Sequence, residues 1–272
     1  MKLSIRTAIR TLTVLLGERA SLRLFYIFNR EFSKTIKVED IIFDVPDYIP
    51  FHRATTIITK EPDTICWIDD IFTENNVFYD IGANIGVFSL YAAKNKRSRV
   101  ISFEPFAENY AILNRNIFLN GYFDRITALN LAIHDRTVLS KLNVSELWAG
   151  KAGHSFDEPI GSVGDVYKPR HLQGVIGMSL DDFINSFELP FPNHIKIDVD
   201  GNEPHVVNGM KETLSDDRLT SVAIEINNEL DNHLEALERI KAANFKILED
   251  DKYINHAYLS VTTTQNYFLV RY

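Results

Sequence analysis

Val77-Phe78-Tyr79-Asp80-Ile81-Gly82-Ala83-Asn84-Ile85-Gly86 is the stretch whose reading decides the fold. An apolar run ends on a carboxylate, and two glycines come at once after it. That order predicts a strand, a tight turn, and then a helix from Ile85 to Asn95. The spacing Gly82-x-Asn84-x-Gly86 lacks the G-x-G-x-x-G that seats a pyrophosphate, which counts against a nicotinamide dehydrogenase.

Working outward, strands and helices alternate. Arg99 to Phe103 predicts a second strand, and Asn109 to Asn120 a helix closed by Gly121. Ile126 to Ile133 predicts a third strand. Ser179 is placed to cap a helix that begins at Leu180. Strands are expected at His194 to Val199, Ser221 to Ile226, Phe245 to Leu248 and Tyr267 to Val270, with helices at Val206 to Leu214 and Leu234 to Ala243. Such alternation means a mostly parallel sheet covered by helices on both faces, an α/β Rossmann-like architecture.

Ligands of such sheets bind beyond the carboxyl ends of the strands. There Gly82, Asn84 and Gly86 let the backbone approach a ligand, and Asp80 precedes them. A carboxylate at that place repels a pyrophosphate and suits a ligand carrying an ammonium and a sulfonium. S-adenosylmethionine is such a cation. Glu104, followed by Pro105, ends the second strand and is positioned to accept hydrogen bonds from two ribose hydroxyls. Ala132, between Leu131 and Ile133, offers a small residue beside an adenine ring.

The candidate chemistry lies further on. Lys196, Asp198 and Asp200 alternate, so they share one face of the fourth strand. Charges at the end of a central parallel strand mark a site, or else a structural ion pair. An alcohol acceptor needs a base to take its proton. Asp198 and Asp200 are candidates, and so are the histidines His154 and His205. Asp198, Asp200 and Glu225 together carry the right oxygens for a magnesium-like ion, but no metal is expected.

These segments resemble the FkbM family of methyltransferases. The resemblance rests on Phe78 to Ser89, Phe103-Glu104-Pro105, Asn116 to Asn120, Ser179 to Asp182, Ile195 to Gly201 and Val222 to Glu225. It implies a class I methyltransferase fold with a seven-stranded sheet whose last strand is antiparallel. It also implies S-adenosylmethionine as cofactor and O-methylation, commonly of a sugar or glycan hydroxyl or of a natural product. The sequence departs from the family's usual glutamate at Asp200, and from the small residues that come after it at Asn202 to His205.

The rest of the chain is read with less pattern. Residues 1–40 are expected to form a helical extension ahead of a methyltransferase domain over 41–272. The extension carries Lys2, Arg6, Arg10, Arg19, Arg23, Arg30, Lys34 and Lys37 against four acids. It reads either as a cap packed on the domain or as a contact with an anionic membrane or a protein partner. Thr55 to Thr59 looks like a short strand. Residues 135–178, with six glycines and two prolines, read as a long lid or acceptor-binding loop in which Trp148, Phe156 and Tyr167 are available to stack on a sugar.

A net charge of -8 disfavours an extended nucleic-acid surface. A single cysteine, Cys66, fits a reducing compartment, and the cytoplasm is the expected location. The sequence leaves a sugar acceptor, a secondary metabolite and a non-catalytic cofactor-binding domain as alternatives. It is silent on oligomeric state.

Overall fold

A computed structural model describes Ala20, residues 34–255 and residues 262–272. Residues 36–272 form one compact unit, and residues 1–35 belong to a second. The helical extension expected over 1–40 lies almost entirely outside the described residues. Its end does not: Thr35–Val38 is a strand, β1, pairing with β2 at Ile41–Asp44. The β-branched Thr35, Ile36 and Val38 favour that outcome.

Helices Tyr48–Thr55, Ile57–Lys60 and Pro62–Ile71 come next. The strand expected at Thr55 to Thr59 is therefore a helix boundary. Burying Ile57 and Ala54 while Ile58 stays exposed requires a helical turn and overrides the strand preference of the β-branched residues.

The central sheet uses β3 (Val77–Ile81), β4 (Arg99–Phe103) and β5 (Ile126–Leu129). The chain then leaves that sheet. β6 (Ala132–His134), β7 (Val138–Val144), β8 (Ser155–Phe156) and β9 (His171–Ser179) build a second sheet in the order β6-β9-β7-β8. It returns with β10 (His194–Ile197), β11 (Ser221–Asn227), β12 (Phe245–Ile247) and β13 (Thr264–Arg271). The central order is β12-β13-β11-β10-β3-β4-β5, seven strands. β11, β10, β3, β4 and β5 pair in parallel, and β13 runs antiparallel to both neighbours.

The alternation of side chains along each strand divides the core. Phe78, Val100, Ile126, Ala223 and Phe268 pack on one face with the helices at 48–71, Val87–Asn95 and Ala107–Asn120. Tyr79, Ile81, Ile101, Phe103, Ile195, Ile197 and Ile224 pack on the other with Leu180–Ser186, Glu203–Asn208 and Asp231–Ala242. Ser179 caps its helix as the sequence predicts, accepting from the Asp182 N–H at 3.1 Å.

The segment 135–178 is not a structureless loop. β7 and β9 pair from Val138↔Gly177 to Val144↔His171. Its glycines do not all mark turns: at Gly177 a Cβ would lie 2.4 Å from the Phe156 ring, so that glycine serves packing within a strand. The third predicted strand also divides, with Ile126–Leu129 in one sheet and Ala132–His134 in the other. Among the described residues no helix is long and apolar enough to cross a membrane.

Candidate active site

Sequence order reverses in the sheet between β3 and β10, which opens a crevice at their carboxyl ends. Their register pairs Asp80 with Lys196 and Ile81 with Ile197, so Gly82 meets Asp198 across the gap. Gly82 has φ +85°, and a Cβ there would stand 1.8 Å from the Asp198 carbonyl oxygen. No other residue fits that approach. The Gly82 and Ala83 N–H groups both donate to the Phe103 carbonyl, at 2.9 and 3.0 Å. Asn84 adopts φ +51°, a conformation that asparagine tolerates.

A cleft lies here. Gly82, Asn84, Glu104, Pro105, Ala132, His154, Asp198 and Asp200 line it, as do Arg53, Phe106, Asn109 and Lys151. Asp80, Gly86 and His205 do not. Asp80 is buried beneath the loop, where its Oδ2 accepts from Ser89, whose hydroxyl also meets Ser102 at 2.8 Å. Asp80 Oδ1 has no partner among the described residues, and burial raises the pKa of the carboxyl. Gly86 packs on Leu113 and starts the next helix. His205 bonds Asp135 at 2.8 Å and stacks on His134, outside the cleft lining.

Glu104 is 5% exposed and anchors the first wall. Its Oε2 accepts from the Asn84 N–H at 2.7 Å and its Oε1 from the Phe106 N–H at 2.8 Å. Burial outweighs those bonds and pushes its pKa up to about 7. Beside it, Phe106, Ala132, Leu142 and Phe156 form an apolar slot. A carboxylate next to an apolar slot matches a ribose joined to a flat base. Asp198 and Asp200 opposite match a cationic end. The residues present fit S-adenosylmethionine.

The second wall is acidic. Lys196 is buried, and its Nζ lies 2.6 Å from Asp198 Oδ2. Burial favours the neutral forms of both, but the pairing wins: Asp198 is held below its usual value and Lys196 above. Asp200 is pushed the other way, up to about 6, by burial and then by Asp198. Among the described residues it keeps one bond, from the Gly153 N–H at 2.8 Å, and it sits at φ +55°. Glu203 lies behind, accepting from Val199 N–H at 2.8 Å and Gly201 N–H at 2.9 Å. Oxygens of Asp198, Glu203 and Glu225 approach within 4.8 Å of one another. Lys196 supplies the counter-charge at Asp198, and both Glu203 oxygens already accept from the backbone. Asp200, which the sequence groups with Asp198 and Glu225, is not in that triad.

Residues 148–154, within the segment that the sequence reads as a lid, roof the cleft through contacts that were not legible in the sequence. Asn84 Nδ2 and Asn109 Nδ2 both donate to the Lys151 carbonyl, at 3.2 and 3.1 Å. Arg53 Nε donates to the Gly150 carbonyl, and the Gly150 N–H donates to Asn109 Oδ1 at 2.6 Å. Of the aromatics expected to stack on a sugar, Phe156 is buried in the cleft wall and Trp148 is exposed. The Tyr167 hydroxyl is occupied by the Asn143 carbonyl and the Ser155 N–H.

A family profile described as the methyltransferase FkbM domain matches residues 80–247. Methyltransferase sdnD of Sordaria araneosa is 28% identical over 103 residues, covering 34% of this chain. Hexuronic acid methyltransferase AglP of Haloferax volcanii is 26% identical over 157 residues, covering 57% of this chain. The matches span 40% and 58% of those relatives' own lengths. The solved precorrin-6y C5,15-methyltransferase of Geobacter metallireducens aligns at a TM-score of 0.45 and 11% identity, over 80% of this chain and 92% of its own.

Proposed function

This chain belongs to the FkbM methyltransferase family, whose cofactor is S-adenosylmethionine, and from that premise we propose that it methylates a hydroxyl of a sugar or glycan. The observation that carries the reading is a pair of neighbouring carboxylates at the cleft, Asp198 paired with the buried Lys196 and Asp200 met by the Gly153 N–H. Asp198 is held ionised by Lys196, whereas Asp200 is raised to about 6. Two acids pushed apart in this way divide the labour between charge and proton transfer.

When bound, S-adenosylmethionine supplies a methyl group on a positively charged sulfur. The chain's own residues do the rest. Glu104 holds the ribose, and the slot beside it excludes water from the base. Asp198 keeps a fixed negative charge near the cationic end. Asp200, largely ionised at neutral pH, takes the proton of the acceptor hydroxyl at its carboxylate. This ranks Asp200 ahead of Asp198 as base. The relative AglP, named for hexuronic acid methylation, supports a sugar acceptor. The cytoplasm is the proposed location.

The test is incubation with S-adenosylmethionine and a panel of sugars and glycans, read by mass spectrometry. A gain of one methyl that Asp200→Asn suppresses is expected. Cofactor binding without turnover on any member, or methylation at nitrogen or carbon, would contradict the proposal.

A further inference from the structure

Among the described residues His154 is the one histidine that lines the cleft, and its tautomer is fixed by its neighbours. The Ser145 backbone N–H donates to Nδ1 at 3.2 Å, and the Ser145 hydroxyl lies at 3.2 Å from the same atom. A backbone N–H can only donate, so Nδ1 carries the lone pair and the proton sits on Nε2. The ring is 9% exposed, and Nε2 is buried with no hydrogen-bond partner among the described residues. A buried donor left unmade costs about 1–3 kcal/mol, which a native protein retains where a ligand satisfies it.

The surroundings identify that ligand. The ring lies 4.4 Å from the Phe106 ring, and both line the cleft with Ala132, Leu142 and Phe156. This is the apolar slot beside Glu104, the part of the cleft shaped for a flat base. Burial also depresses the pKa to about 4, so the ring is neutral near pH 7. In the sequence His154 stands as a candidate base. A nitrogen that holds its proton, on a ring that lines the slot, is instead a donor.

We propose that His154 reads the cofactor's nucleobase, donating its Nε2–H to one acceptor nitrogen of the adenine ring; this rests on the reading of the cleft as an S-adenosylmethionine site. The roof over the cleft, residues 148–154, carries the donor. Asn84, Asn109, Arg53 and Asp200 hold that roof down.

The test is calorimetric titration with S-adenosylhomocysteine and its 1-deaza, 3-deaza and 7-deaza analogues, using the full chain and His154→Phe and His154→Gln. Wild type should lose about tenfold in affinity for the single analogue that lacks the acceptor. His154→Phe should lose the same factor for S-adenosylhomocysteine and nothing further for that analogue, and His154→Gln should recover part of the loss. Equal weakening of all four ligands by His154→Phe, or none, overturns the proposal and leaves the cofactor reading standing. Failure of wild type to bind S-adenosylhomocysteine overturns both. If the variants do not fold, the wild-type analogue series and ¹⁵N-histidine NMR decide. A proton found on Nδ1 at neutral pH, or four equal affinities, overturns the donor role.

Discussion

The two walls of the cleft bury carboxylates in opposite ways. Glu104 is met by two backbone N–H groups, from Asn84 and Phe106, that cannot move without unfolding the loop. Across the gap, Asp198 is met by the side-chain charge of Lys196, and Asp200 by a single N–H borrowed from the roof. The first wall is preorganised for binding. The second is arranged for a change of charge. A fixed donor set suits the ribose, which methyl transfer leaves unchanged, whereas a carboxylate met by a single backbone donor keeps an oxygen free to take a proton.

The largest expected effect is on the seam that joins the walls. Gly82→Ala drives a Cβ into the Asp198 carbonyl and should cost about 3 kcal/mol or more, lowering the melting temperature by about 10 °C. A melt within experimental error of wild type would show that the walls can separate freely. Next, Asp200→Asn should lower kcat/KM by about a hundredfold while leaving S-adenosylhomocysteine affinity nearly unchanged. In wild type, kcat/KM should rise with pH through about 6 as Asp200 loses its proton, and the variant should lack that limb. A variant that keeps the limb would move the base elsewhere.

Asp198→Asn acts differently, because it strands the buried Lys196 charge. It should cost about 2 kcal/mol in a denaturant melt, below the value for a fully buried pair because the Asp198 side chain is 29% exposed. Adding Lys196→Met should restore much of the loss. No recovery would mean that the pair is not the second wall's structural centre.

The first wall's effect is spread over a range of pH. The Glu104 pKa is raised from 4.5 to about 7, so between those values the folded chain holds a proton that the unfolded chain has released. That contribution to stability is complete below the unfolded value and is lost as pH rises through about 7, at about 1 kcal/mol per pH unit between them. Urea melts across this window should show the slope in wild type and not in Glu104→Gln. The same slope in both would remove Glu104 as its origin.

The first wall was legible in the sequence because its information is local. Asp80 to Gly86 is a strand, a turn and a helix start in one short run, and Glu104 ends the next strand. The placement of Asp80 still needed three dimensions: its side chain points to Ser89 and Ser102, beneath the loop and not into the cleft. The second wall was half legible. Alternation put Lys196 and Asp198 on one face, but the strand stops at Ile197, and the chain then turns with Asp200 at positive φ. The roof was legible only as a lid, without its anchors. Its contacts link residues far apart in sequence, such as Arg53 with Gly150 and Asn109 with Lys151. Glycines at 150, 153, 174 and 177 hid the strands on either side of it.

The most direct measurement is calorimetric titration of S-adenosylhomocysteine into the wild-type chain and Glu104→Gln. One binding site per wild-type chain is expected, with a loss of about tenfold or more in the variant and its far-ultraviolet circular dichroism unchanged. No binding to wild type, or equal binding to both, would contradict the assignment of the first wall to the cofactor.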